Sequence, residues 1–292
     1  MTFPGEFAAI TKTQEPLAPL THLRIGGPAE YLVHPRDREE LAAVVRHCRA
    51  AGLPLRVLGG GCNLLVRDEG VSGVVLRLSA PAFTQIRVEG RRVTAGAGAA
   101  LAALISQAAR HDLAGVEALV GIVGTVGGAL RCNAGDRAAE ISQFVRRVEV
   151  MDEHGQVQQR ERAEIHFHEH ASDLDDPVIL AAEFELEPDS AGAIVKRMIK
   201  AWIHRKASQP YSYQAAVRAF KNPRGQSAAD LIEKAGLSKT RVGGAEVSER
   251  NANYIVAHPG ATARDVLRLI ELIQSRVGEA AGVQMERELL VW

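Results

Sequence analysis

The stretch Val57-Leu58-Gly59-Gly60-Gly61-Cys62-Asn63-Leu64-Leu65-Val66 sets three consecutive glycines and an asparagine between two short apolar segments. Glycine accepts positive backbone torsions and exposes its N–H with no side chain in the way. Such a loop either forms a concave nest of donors around a phosphate or pyrophosphate, or is a tight turn between strands. A second run favours the nest: Gly121-Ile122-Val123-Gly124-Thr125-Val126-Gly127-Gly128-Ala129, followed by Cys132-Asn133-Ala134-Gly135. Two Gly-rich segments, each ending near an Asn, point to one extended anionic cofactor cradled from two sides.

The chain has 292 residues, 46% apolar and 24% charged, the balance of an ordinary globular protein. That length suits roughly two or three modest domains. Formal net charge is zero, so bulk electrostatics draw the chain to neither nucleic acid nor an anionic membrane. No apolar run approaches a bilayer span. The opening MTFPGEFAAITKTQEP lacks the basic-then-apolar order of a secretory signal. A cytoplasmic location is therefore expected, with no nucleic-acid, membrane or obligate protein partner. Cys48, Cys62 and Cys132 are far apart and form no CxxC pair, which argues against a disulfide framework and a zinc site.

Helical and strand patterns alternate. Asp37 with Glu40 three residues on makes a capping-box-like start. Leu41, Val44, Val45 and Cys48 then recur at helical spacing, and Gly52 closes the helix. Residues 55–58 and 73–78 are expected as strands and residues 101–110 as a helix. Residues 86–88 and 91–95 form a hairpin around Glu89-Gly90; residues 145–151 and 156–159 form another around Asp152-Glu153-His154-Gly155. After Glu187-Pro188-Asp189-Ser190 comes an amphipathic helix over 193–206, with Ile194, Met198, Ile199 and Trp202 on one side. A short helix over 230–235 stops at Gly236. Thr262 and Asp265 open a longer one carrying Val266, Leu269, Ile270, Ile273 and Val277, and strands at 253–256 and 288–291 bracket it. A boundary near Pro188 divides the chain into residues 1–188, in two lobes of about 18–79 and 80–188, and residues 189–292. No internal repeat or low-complexity segment occurs.

One ordered set of motifs spans nearly the whole chain. It begins with Thr21-His22-Leu23-Arg24-Ile25-Gly26-Gly27-Pro28-Ala29 and continues through LGGGCNLLV and GIVGTVGGALRCNAGD. Gln209-Pro210, Phe220-Lys221-Asn222-Pro223, Ala235-Gly236-Leu237 and Gly243-Gly244-Ala245-Glu246-Val247-Ser248 follow. In this order they resemble the UDP-N-acetylenolpyruvoylglucosamine reductase family, also called UDP-N-acetylmuramate dehydrogenase; the compact stretch 209–221 is similar to the shorter of the family's two types. The resemblance implies an α+β fold: a two-lobed FAD-binding module of the vanillyl-alcohol-oxidase type plus a C-terminal α/β substrate domain. It also implies NADPH-driven reduction of UDP-N-acetylglucosamine enolpyruvate to the peptidoglycan precursor UDP-N-acetylmuramate. FAD would lie against Leu58, Gly59, Gly60, Gly61, Cys62, Asn63 and Leu64 on one side. Gly121, Gly124, Thr125, Gly127, Gly128 and Asn133 would line the other. Lys221 and Asn222 are expected to contact the UDP-sugar, as a compact cation and a two-way hydrogen-bonding amide suit a diphosphate.

The chemistry motifs depart from the family pattern. Members usually carry Phe-x-Tyr-Arg-x-Ser, the Arg facing the substrate carboxylate; aligning Phe167 and Ser172 puts Glu169 at the Tyr position and His170 at the Arg position. A usual Gly-Ser before the FKNP motif, whose Ser donates the proton, becomes Val217-Arg218. A usual His-Ala-Asn becomes Asn251-Ala252-Asn253, while Glu288 keeps the position of the family's catalytic Glu. This pattern suggests a role exchange: Arg218 clamps the carboxylate and His170 supplies the proton, since guanidinium stays charged and imidazole titrates near neutrality. The alternative is a flavin-binding paralogue that has lost this reaction or acts on another substrate. Blander readings stand beside each residue: Arg218 in a surface ion pair, Glu288 facing solvent, Lys221 solvated, Cys62 and Cys132 as small packing residues. His166, His168 and His170 alternate as metal ligands on a strand do, but no further ligand set has suitable spacing and no metal is expected.

Overall fold

Strand Leu55–Val57 delivers the first glycine run and lies parallel to Val71–Leu76. They belong to a four-stranded sheet of order Thr11–Pro16, Pro28–Val33, Val71–Leu76, Leu55–Val57. The computed structural model describes residues 3–136, 138–210 and 215–292, so the stretch 209–221 lies partly outside the described residues. Helix Arg38–Ala51 follows the expected signals. Asp37 accepts the N–H groups of Glu39 and Glu40 at 3.0 and 2.9 Å, and Gly52 closes the helix at φ +64°. The capping box is shifted by one residue, because the Glu40 carboxylate accepts the N–H of Arg36 rather than that of Asp37.

A five-stranded antiparallel sheet, ordered Val157–Glu161, Val145–Met151, Val178–Glu185, Arg92–Gly96, Ile86–Glu89, contains both expected hairpins. Helices Leu101–Arg110 and Val126–Arg131 bury Leu101, Leu104, Val126 and Leu130 in the core that also holds Val93, Val148 and Phe184 from the sheet. Val33, Leu41, Val45 and Leu76 join the same core, so the two sheets form two lobes around continuous apolar packing.

The chain forms two units, the first within Met1–Glu15, Glu30–Gly60 and Ser72–Ile203, the second within Pro16–Ala29, Gly61–Val71 and His204–Trp292. This differs from a division at residue 188. Helix Ala191–Ser208 starts in the first unit, where Arg197 bonds Glu117 and Asp189, each at 2.7 Å. Two early segments join the second unit because Leu23 and Leu65 pack into its core. The apolar side expected on helix Ala191–Ser208 is only half realised. Ile194 is buried and Met198 packs on the first core, but Ile199 and Trp202 are 54% and 47% exposed. Polar anchoring by Arg197 takes the place of the missing burial.

The second unit has a four-stranded antiparallel sheet of order Ala215–Arg218, Tyr254–Ala257, Ala245–Val247, Arg241–Val242. Val217, Ile255 and Val247 share one face and pack with helices Ala228–Lys234 and Ala263–Ala281. Thr262 and Asp265 form the expected capping box, and Val266, Leu269, Ile270, Ile273 and Val277 are buried. Buried Asn253 imitates a strand partner: its Nδ2 donates to the Phe220 carbonyl at 2.8 Å and its Oδ1 accepts the Phe220 N–H at 3.0 Å. Asn253→Ala is expected to destabilise the second unit by about 2–4 kcal/mol, because both Phe220 groups lose their partner in the interior; a lowered urea midpoint measures it.

Candidate functional site

In the first unit the two glycine runs meet. A Cβ on Gly59 would lie 2.6 Å from Thr125 Oγ1. Thr125 is the N-cap of helix Val126–Arg131 and accepts the Gly128 N–H at 3.3 Å. Gly121 and Gly124 hold φ of +87° and +139°, values that favour glycine. The N–H groups of Gly127 and Gly128 are both taken within the protein. The Gly127 N–H goes to the Ala97 carbonyl at 2.8 Å, and a Cβ there would sit 2.9 Å from Ala97 Cβ. Gly127 lets the helix approach the backbone at Ala97. Among the described residues nothing accepts the N–H of Gly59. Leu58 is buried and bonds the Leu76 carbonyl through its N–H at 2.8 Å.

From Gly61 onward the loop belongs to the second unit. Gly61 has φ +62°, and a Cβ would fall 2.5 Å from the Leu20 carbonyl oxygen; its own carbonyl accepts the His22 N–H at 3.0 Å. No described acceptor takes its N–H. Asn63 Nδ2 donates to the Glu288 carbonyl at 3.1 Å. Next, Leu64–Leu65 pairs in parallel with Leu290–Val291. Opposite, the Glu288 N–H donates to the Ala219 carbonyl at 3.0 Å and the Lys221 N–H to the Glu286 carbonyl at 2.9 Å. Glu288 is thus held from both sides, and its Oε2 lies 3.1 Å from Arg218 Nε. Arg218 is half-buried on the sheet face opposite Val217.

His170 occupies the two-residue turn of the hairpin Phe167–His168 and Ala171–Ser172, with φ +56°. The three histidines therefore do not form one strand face. His166 Nδ1 instead lies 2.7 Å from Asp173. Among the described residues no group of three or more His, Cys, Asp or Glu side chains is arranged to hold a metal. Asn133, 1% exposed with φ +42°, commits its side chain to the protein: Nδ2 donates to Glu140 at 2.8 Å and to the His168 carbonyl at 2.9 Å. It braces the hairpin carrying His170. Lys221 Nζ is ion-paired with Glu286, and Asn222 Oδ1 accepts the Ala228 N–H at 3.1 Å. Cys48 is buried, which pushes its thiol up to about 11. Tyr254, directly opposite Arg218 in the strand pair, had no sequence signal, because strand register decides which side chains meet.

A family model described as the C-terminal domain of UDP-N-acetylenolpyruvoylglucosamine reductase matches residues 209–292, and an FAD binding domain model matches residues 29–160. A reductase of that name from Moorella thermoacetica is 42% identical, over 96% of this chain and 92% of its own. One from Bradyrhizobium sp. is 40% identical over 94% and 90%. The crystal structure of the Thermus caldophilus reductase superposes with a TM-score of 0.84 at 38% identity, covering 96% of this chain and 98% of that one. The chain belongs to the UDP-N-acetylenolpyruvoylglucosamine reductase family. The N–H groups of Gly59 and of Gly61, which no described residue accepts, are each of the kind that suits a pyrophosphate. Among the described residues no helix is long and apolar enough to cross a membrane.

Two expectations follow from this geometry. Gly59→Val should displace Thr125 from its capping position and lower FAD affinity at least about tenfold, the worth of one charge-assisted hydrogen bond; the ratio of flavin to protein absorbance after gel filtration reports it. Burial, with the Arg24 guanidinium nearby, holds the His22 imidazole below the usual histidine range. Its contribution is fully present above about pH 6.5 and is lost as pH falls through the folded value, because the unfolded chain takes up the proton more readily. His22→Gln should flatten the fall of the unfolding midpoint between about pH 7 and pH 5.

Proposed function

We propose that this chain reduces UDP-N-acetylglucosamine enolpyruvate to UDP-N-acetylmuramate with FAD and NADPH, a cytoplasmic step of peptidoglycan precursor synthesis. The observation that carries the reading is the fixed Glu288 beside Arg218, 3.1 Å apart, on the same loop-and-strand assembly that continues the glycine run. Bound FAD would supply the hydride, drawn from NADPH. An enol ether conjugated to a carboxylate accumulates negative charge on that carboxylate as hydride arrives, so a cation there stabilises the transition state. Arg218 fills this role, with Glu288 orienting its guanidinium. His170 supplies the proton that completes the product, in the role of a general acid. Lys221 and the Asn222 NH₂ meet the diphosphate, with Lys221 exchanging exposed Glu286 for phosphate.

NADPH-dependent turnover of the enolpyruvyl substrate by purified protein tests the reading. His170→Ala should abolish product formation while NADPH still reduces the flavin. The double variant His170→Arg with Arg218→Ser should be active with an altered pH profile. A wild-type protein that reduces its flavin but never forms product, beside an active double variant, would instead identify a flavin-binding paralogue that has lost the reaction.

A further inference from the structure

Arg218 and Tyr254 are directly opposed in the antiparallel pair Ala215–Arg218 and Tyr254–Ala257. Opposed residues share a face, with Cβ atoms about 5 Å apart. That face is the one turned away from Val217 and Ile255 in the core. The base of the Tyr254 side chain is fixed, since its N–H donates to the Asn251 carbonyl at 2.9 Å and its carbonyl accepts the Ser248 N–H at 2.8 Å. Asn251 is itself held, donating from Nδ2 to the Ser208 carbonyl at 3.0 Å and accepting the Asn253 N–H at 3.0 Å. Among the described residues none makes a hydrogen bond with the Tyr254 hydroxyl.

The charged groups acting on this phenol are Arg218, Glu288 and Arg205. Arg205 is 5% exposed, so its charge acts from a buried position where solvent screens it little. A neutral O–H donor on the same face of the strand pair as a guanidinium suits a carboxylate, and a donor whose own group stays neutral adds no competing negative charge.

We propose that Tyr254 is a substrate-binding residue whose hydroxyl donates a hydrogen bond to the carboxylate of the enolpyruvyl group, alongside Arg218. This rests on the reductase reading above and adds a residue to it. The bond strengthens as charge moves onto the carboxylate during hydride arrival, so it contributes more to the transition state than to the bound substrate. No proton leaves the phenol in this role. Burial pushes the phenol's pKa above the ordinary tyrosine range; Arg218 opposes that shift, Glu288 adds to it and Arg205 opposes it. The hydroxyl is therefore protonated throughout the neutral range.

Tyr254→Phe removes the hydroxyl and keeps the ring. In the FAD-loaded full-length protein, calorimetric titration should compare UDP-N-acetylglucosamine enolpyruvate with UDP-N-acetylglucosamine, which lacks the acid. Wild-type protein is expected to favour the acid. Tyr254→Phe should lose about tenfold in affinity for the acid and none for the neutral sugar nucleotide, with about a tenfold fall in kcat or more and unchanged flavin reduction by NADPH. Equal affinity and kcat in the two proteins, with wild-type preference for the acid intact, would overturn the role of Tyr254 alone. A wild-type protein that shows no preference for the acid would overturn both this role and the reductase reading.

Discussion

The hydrogen bond from Asn63 Nδ2 to the Glu288 carbonyl joins positions 225 residues apart, and the geometry of the second unit's site depends on it. It fastens the end of the glycine run to the segment that carries Glu288, just before strand Leu290–Val291. The parallel pairing of Leu64–Leu65 with Leu290–Val291 extends the seam, and it ends where the Arg67 N–H bonds the Trp292 carbonyl at 2.9 Å. A single amide could not fix Glu288 alone, since one such bond contributes only about 1 kcal/mol net. The seam works because its bonds close together with those between Glu288 and Ala219 on the other side. Placement of the carboxylate is thus a property of backbone pairing, and the Glu288 side chain is left for electrostatics.

Arg218 changes those electrostatics. A serine at this position would leave Glu288 beside a neutral hydroxyl, whereas a guanidinium 3.1 Å away makes a largely buried ion pair. Such pairs gain little net stability, because desolvating both charges offsets most of their attraction. The pair is better understood as a poised cation than as a structural brace. In the role proposed for Arg218, the substrate carboxylate would meet a guanidinium that already lies beside Glu288 and is already partly desolvated.

Local signals were legible in the sequence wherever the next few residues decide the structure. Asp37, Gly52, Thr262 with Asp265, and the turns at Glu89-Gly90 and 152–155 all formed as their side chains and torsions dictate. Long-range pairing was not legible. Nothing near Leu23 or Leu65 announces that these residues pack with Val217 and Ile273, which is why a single boundary at residue 188 misplaces two short segments. The face of helix Ala191–Ser208 was legible as apolar, but periodicity does not say which apolar side chains find a partner. Gly127 and Gly128 show the same limit at the site. A glycine that frees an N–H for a ligand and one that admits a neighbouring backbone look identical in sequence.

Cofactor motifs and chemistry motifs behave differently in this chain for a structural reason. The glycines at 59 and 61 are pinned by backbone or side-chain atoms 2.5 to 2.6 Å from any added Cβ. Almost any replacement there disturbs the fold as well as the ligand. Arg218 and Tyr254 stand on the sheet face opposite Val217 and Ile255. Strand side chains alternate between faces, so these two can change size and charge while the core face and the ladder stay as they are. Asn253 supports that freedom by holding Phe220 through its own amide, whatever residue precedes it. A fold built this way can keep its glycine loops and the segment that carries Glu288 while the residues at 218 and 254 are exchanged. That is the combination found here: intact glycine runs, Glu288 in place, and Arg218 opposite Tyr254 where a smaller hydroxyl donor was expected.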